Sequence, residues 1–220
     1  MAKLTIDVQP RGIASAYIDA PFDQGMEALQ KKGYPLISLE QNAQLQIQES
    51  REASISKNGN WTREGVIYVP NKGKFLTPNS PILTYAQEAT QCHRNGQKYY
   101  LTGEQVEQAL EDAVEITTDQ IPTTEFKNHP LTVSAFKTFA EAYGQFLQEA
   151  GIMNLSVYTV DVSDKPFASQ IWFRGLDDGS ELNGVNLNLD YNSRVRGVQV
   201  IQGPQGRAKN LEECSRYFEL

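Results

Sequence analysis

Cysteine and histidine are nearly missing from this sequence, with two of each among 220 residues. Cys92 and Cys214 stand far apart, which argues against the disulfide framework of a small secreted domain and leaves two free thiols as the expectation. Zinc sites usually show as close ligand pairs, C-x-x-C or H-x-x-x-H; here Cys92 and His93 are adjacent, and His129 and Cys214 are isolated. No metal and no cofactor are expected. A catalytic Ser or Cys needs a nearby base, yet there is no G-x-S-x-G elbow, and Cys92 and His93, as helix neighbours, point about 100° apart. Neither G-x-x-x-x-G-K-[ST] nor G-x-G-x-x-G is present to cradle a phosphate.

Long apolar runs are missing as well. None approaches the ~20 residues of a membrane helix, and the opening MAKLTIDVQPRG has no apolar signal core. The reading is a cytoplasmic protein with no membrane partner. The chain also lacks an excess of positive charge: its net charge of -7 disfavours broad nucleic-acid binding.

What is present fits an ordinary globular protein, since 40 % hydrophobic and 21 % charged residues leave room for a core without disorder. The charge is uneven, +3 over residues 51–74 and -6 over residues 75–125. That juxtaposition suits self-association, so a homo-oligomer is a possible state, or an anionic partner. Leu4 to Val8 alternates like a strand. Asp23 and Gly33 bracket a helix, and Ser38 with Gln41 forms a capping box for another reaching about residue 50. Extended runs at 53–55 and 65–69 flank Asn58-Gly59, a hairpin-turn dipeptide. Helices follow at 83–94 and, capped by Thr102, at 103–115; Pro122 and Pro130 mark a lobe boundary. Val133, Phe136, Phe139, Ala140, Tyr143, Phe146 and Leu147 predict one long helix over 132–150.

After Gly151 the period becomes two. Strands are predicted at 155–162, 167–174, 185–191 and 195–201, the last with a bulge at Gly197, and then a helix at 210–218. The expected fold class is α+β: a helix-rich N-terminal part with a β-hairpin, and a C-terminal four-stranded antiparallel sheet packed against helices. Residues 1–120 and 121–220 would form the two lobes, or one continuous domain. The C-terminal order followed by GPQGRAKNLEEC faintly resembles the end of double-stranded-RNA-binding domains, but it has one strand too many and lacks their paired lysines, so no family is assigned.

Three functional readings follow. If the second of these strands pairs with the third, Gln170, Trp172 and Arg174 face Asn186, Asn188 and Asp190, a stacking plane ringed by donors and acceptors for a polar small molecule or a protein partner. That makes the chain a non-catalytic binding or accessory protein. A metal-dependent hydrolase of phosphate esters would instead use Asp161 and Asp190. A single-stranded nucleic-acid binder would use Lys57, Arg63, Lys72 and Lys74 with Trp61 and Tyr68; a solvated edge is the commoner role of such a hairpin. The loop 203–207 before Lys209 is a connector with amides and Arg207 that an anion could meet.

Overall fold

Strands and helices alternate along most of the chain in the computed structural model, which describes residues 4–8, 13–160, 163–185 and 187–200. In chain order the elements are β1 (Thr5–Val8), β2 (Ile13–Ala20), α1 (Phe22–Lys31), α2 (Leu39–Glu49), α3 (Ser54–Lys57), β3 (Asn60–Val69) and β4 (Gly73–Thr77). There follow α4 (Ala86–Arg94), β5 (Tyr99–Tyr100), α5 (Gly103–Leu110), β6 (Val114–Glu115), β7 (Gln120–Pro122), α6 (Pro130–Phe136) and α7 (Ala140–Glu149). The last are β8 (Asn154–Tyr158), β9 (Phe167–Arg174), β10 (Glu181–Asn183) and β11 (Ser193–Val200).

Local chemistry sets several boundaries. Ser38 and Gln41 form the reciprocal capping box of α2, and Thr102 and Gln105 form that of α5, so each pair satisfies amide donors that a helix start leaves open. Gly33, at φ +78°, closes α1 in a conformation that side chains with a Cβ resist.

Among the described residues, all eleven strands join one mixed sheet in the order β1-β2-β11-β3-β9-β10-β8-β7, with β4, β5 and β6 paired alongside. The β8–β10 and β3–β11 pairs are parallel, and the others are antiparallel. This corrects the expected four-stranded antiparallel C-terminal sheet. Strands from early in the chain, β2 and β3, flank β11, and β3 also lies beside β9. Sequence separation hid these pairings, because periodicity reports which face a residue takes and not which strand lies next to it.

Both faces are covered along the middle of the sheet. On the first, α2, α6 and α7 pack on Val66, Tyr68, Phe167, Ile171, Phe173 and Leu182. On the second, α1, α4 and α5 pack on Ala16, Ile18, Trp61, Ile67, Ala168 and Val195. Val195 is out of phase with Val198 because the two serve opposite faces; β11 pairs with β2 in unbroken register through Gly197, so the expected bulge is absent there. The real irregularity is in β3, where the register with β9 shifts between Trp61 and Gly65.

Other expectations also change. Residues 54–57 form α3 rather than a strand, and β3 folds back on β4 around Asn71 (φ +62°) and Gly73 (φ +118°), not around Asn58-Gly59. Residues 185–191 contain no strand among those described. The long helix breaks at Lys137 (φ +47°), which leaves Val133 43 % exposed while Phe136 and Tyr143 close to 4.8 Å in the core. The expected helix at 210–218 and the loop at 203–207 lie outside the described residues.

Candidate functional site

Toward the β10-β8-β7 edge of the sheet, none of the described strand residues enters the second-face cluster. There the cross-strand register sets side chains into two rows. Trp172, Asn183 and Tyr158 stand side by side on β9, β10 and β8, and Arg174, Glu181, Ser156 and Gln120 form the next row across β9, β10, β8 and β7. The alternate residues Phe173, Leu182, Val157, Leu155 and Ile121 point into the first-face core, which fixes the direction of the rows. With strands about 4.8 Å apart, the two aromatic ends of the first row are about 10 Å from each other.

The platform is uneven in depth. Asn183 and Glu181 are buried, Ser156, Trp172 and Arg174 are half-buried, and Tyr158 is 51 % exposed. Glu181 Oε1 accepts from Asn183 Nδ2 (2.7 Å) and pairs with Arg174 Nε (3.1 Å). Asn183 Oδ1 in turn accepts the Val185 amide at 3.2 Å. These bonds fix the middle of both rows, so the polar groups are held in place before any ligand arrives. The Trp172 ring meets Trp61 edge-on, with centroids 5.1 Å apart, and Trp61 meets Phe22 in the same way at 5.8 Å. Gly59 lies over the Trp172 indole: a Cβ there would stand 2.5 Å from Nε1, so only glycine allows this approach.

Trp172 and Arg174 thus lie on one face, as the alternation of β9 implies. Gln170 shares that face but is buried, and its amide donates to the carbonyls of Thr62 and Glu64, supplying bonds where the β3 shift interrupts the ladder. Asn188 and Asp190 belong to a turn rather than to a neighbouring strand: Asn188 Oδ1 accepts the Asp190 amide (2.9 Å), and Asp190 accepts from Arg94 Nε (3.0 Å). The bond from Arg94 holds the Asp190 carboxyl below its ordinary range. Asn186, Asp161, Arg207, Lys209 and Cys214 lie outside the described residues.

The basic residues separate. Lys57 pairs with Glu52 (2.6 Å), and Arg63 donates to Asn79, both near the start of β3. Lys72 and Lys74 lie at its far end, about 17–20 Å beyond Arg63 along a strand rising about 3.3 Å per residue. Cys92 is a free thiol, and His129 Nδ1 accepts the Leu131 amide. Among the described residues no group of three or more His, Cys, Asp or Glu is placed to share a metal ion, and no helix is long and apolar enough to cross a membrane.

Sequence reasoning did not place Asn183, Glu181, Ser156 and Tyr158 beside Trp172 and Arg174. For the last two the signal was there, since Asn154, Ser156 and Tyr158 alternate with Leu155 and Val157. For β10 it was not, because three residues are too few to display a period.

Two buried polar arrangements support the site from behind. A chain of bonds runs from Asn60 through Asn42 (3.0 Å) and Gln46 (3.0 Å) to the Tyr143 hydroxyl (2.9 Å), which also meets Ser180 Oγ at 3.2 Å, next to β10. Within the β3 shift, the Glu64 carboxylate accepts the amide of Leu39, the first residue of α2, at 3.0 Å. Burial raises the Glu64 pKa from 4.5 to about 7, against the opposing pull of backbone donors and the Arg63 charge.

No family model matches this sequence, and no curated protein matches it. A solved structure described as "Accommodation of massive sequence variation in Nanoarchaeota by the C-type lectin fold" superposes with a TM-score of 0.63 over 88 % of this chain and 100 % of that one, at 13 % identity. The likeness shows a C-type lectin fold. At this identity the C-type lectin likeness extends to the backbone arrangement and not to any shared residue role.

Proposed function

We propose that the protein is a non-catalytic binding protein that recognises a polar ligand or a protein partner on the open end of its sheet. The observation that carries the reading is the pair of cross-strand rows, Trp172-Asn183-Tyr158 beside Arg174-Glu181-Ser156. An aromatic at each end provides flat contact surfaces, the Arg174–Glu181 pair provides opposite charges, and fixed bonds keep the centre ordered. Such a platform binds by complementarity of shape and charge.

The chain has two tryptophans, so the test is direct. Libraries of polar small molecules and of short peptides are screened by NMR, following the two indole N–H resonances. A true hit moves the Trp172 signal before that of Trp61, which is 2 % exposed, and Arg174→Ala or Asn183→Ala weakens it. Each lost interaction is worth about 1–3 kcal/mol, or roughly five- to 150-fold in Kd. Hits that leave Trp172 unmoved and map to Lys72 and Lys74 would replace this reading with the anion-binding one.

A further inference from the structure

The stretch between β10 and β11 crosses the second face without a strand's ladder, and its central residue is held by a histidine. We propose that His93 is an acid-sensitive latch: as a neutral ring it ties residues 187–190 into the cluster that packs against the tryptophan pair, and on protonation it lets them go.

His93 lies in α4, 6 % exposed, and its Nδ1 accepts the Leu189 amide at 3.2 Å. An accepting nitrogen carries no proton, so the ring is neutral with its hydrogen on Nε2. Adding a proton sets one N–H against another and places a charge in an apolar layer. The segment has few other ties. Among the described residues, the Phe22 amide donates to the Leu189 carbonyl (2.8 Å), the Leu187 backbone bonds to the His93 ring, Asp190 pairs with Arg94, and Asn188 bonds within its own turn. Leu189 is wholly buried in the cluster that holds Trp61 and Phe22, and Leu187 and Trp172 pack against the same cluster.

The ionisable groups around the ring do not offset a positive charge on it. On α4 these are Glu88, Cys92 and Arg94, on α1 Asp23, on β5 Tyr99, and on the segment Asp190. Asp190 is bound to Arg94, Asp23 acts on Arg94, and Glu88 acts on Cys92 and Tyr99. For His93 itself, burial lowers the pKa from 6.5, and only the Leu187 backbone favours the charged form. A lowered histidine pKa means that this contribution to the closed form is complete above 6.5 and is lost as the pH falls through the buried value.

The consequence for ligand binding rests on the platform reading, since loosening 187–190 removes packing behind Trp172; the latch itself does not. Amide hydrogen exchange of the intact protein, resolved by residue between pH 8 and 5 and corrected for the intrinsic rate, tests it with no ligand present. Below 6.5 the Leu189 and Phe22 amides lose protection about tenfold per pH unit until the buried value is reached, and the Val66 and Ile67 amides do not. His93→Gln, which has a non-titrating acceptor, flattens the profile. Glu64→Gln, which removes a buried carboxyl that titrates near neutrality, leaves it in place. Unchanged Leu189 protection in the wild type, or the same pH dependence in His93→Gln, overturns the latch. If His93→Gln does not fold, the wild type decides: loss confined to Leu189 and Phe22 supports the proposal, and parallel loss at Val66 and Ile67 overturns it. A failed ligand screen with an intact exchange profile would sink the platform alone.

Discussion

Replacing Glu64 with Gln should make the protein more stable at pH 8 and leave it nearly unchanged at pH 4.5. The carboxyl is 6 % exposed and sits in the register shift of β3, where burial raises its pKa from 4.5 to about 7. The folded state therefore holds a proton that the unfolded chain releases, and this contribution is full below 4.5 and disappears as the pH rises to about 7. At about 1.4 kcal/mol for each pH unit, the interval between 4.5 and about 7 corresponds to about 3 kcal/mol. The charged form keeps some support from the Leu39 amide and the start of α2, about 0.3–1 kcal/mol for such an end, which is too little to reverse the sign. Glutamine keeps an acceptor for Leu39 and cannot ionise. Urea denaturation followed by tryptophan emission at pH 4.5, 5.5, 6.5 and 8 gives the difference between variant and wild type; it should grow with pH and level off above about 7. A difference independent of pH, or one that favours the wild type at pH 8, would show that helix α2 and Arg63 keep the carboxylate charged, and the burial argument would fail.

Two further substitutions probe the support behind the platform. Tyr143→Phe removes the hydroxyl that donates to Gln46 Oε1 and meets Ser180, leaving a buried acceptor; denaturation should show a loss of about 1–3 kcal/mol, and a neutral result would mean that the polar chain is dispensable. Gly144→Ala places a Cβ 2.5 Å from the Thr123 carbonyl oxygen, an overlap that α7 can relieve only by moving off the 123–126 turn, so about 1–3 kcal/mol should be lost; an unchanged melting temperature would show that the helix slides freely.

What could be read from the sequence was what is decided within a few residues. The Ser38–Gln41 box and the Thr102 cap are local bargains between a side chain and the nearest amides, and the Gly33 stop is a property of one backbone angle. The sheet order is not local: Trp61 lies opposite Trp172, and Ile13 opposite Val200. Residues 185–191 were misread for a physical reason, because Leu187 and Leu189 alternate to dock a turn against α4 and leave the same periodic trace as a strand. Of the site, the shared face of Trp172 and Arg174 followed from β9 alone. Their true neighbours, Glu181 and Asn183, sit on a strand too short to announce itself. Asn58-Gly59 supplies no hairpin turn; its glycine is where the backbone crosses an indole ring.

The antiparallel pairing of β2 with β11, which puts Ile13 opposite Val200, has a mechanical side. Tension applied at those two points would load the rungs one after another, like a zipper drawn from its open end, and the pair would peel at low force before the inner strands felt the pull. The same closeness makes the intervening chain easy to graft, since a host protein would have to open only a narrow gap to accept it.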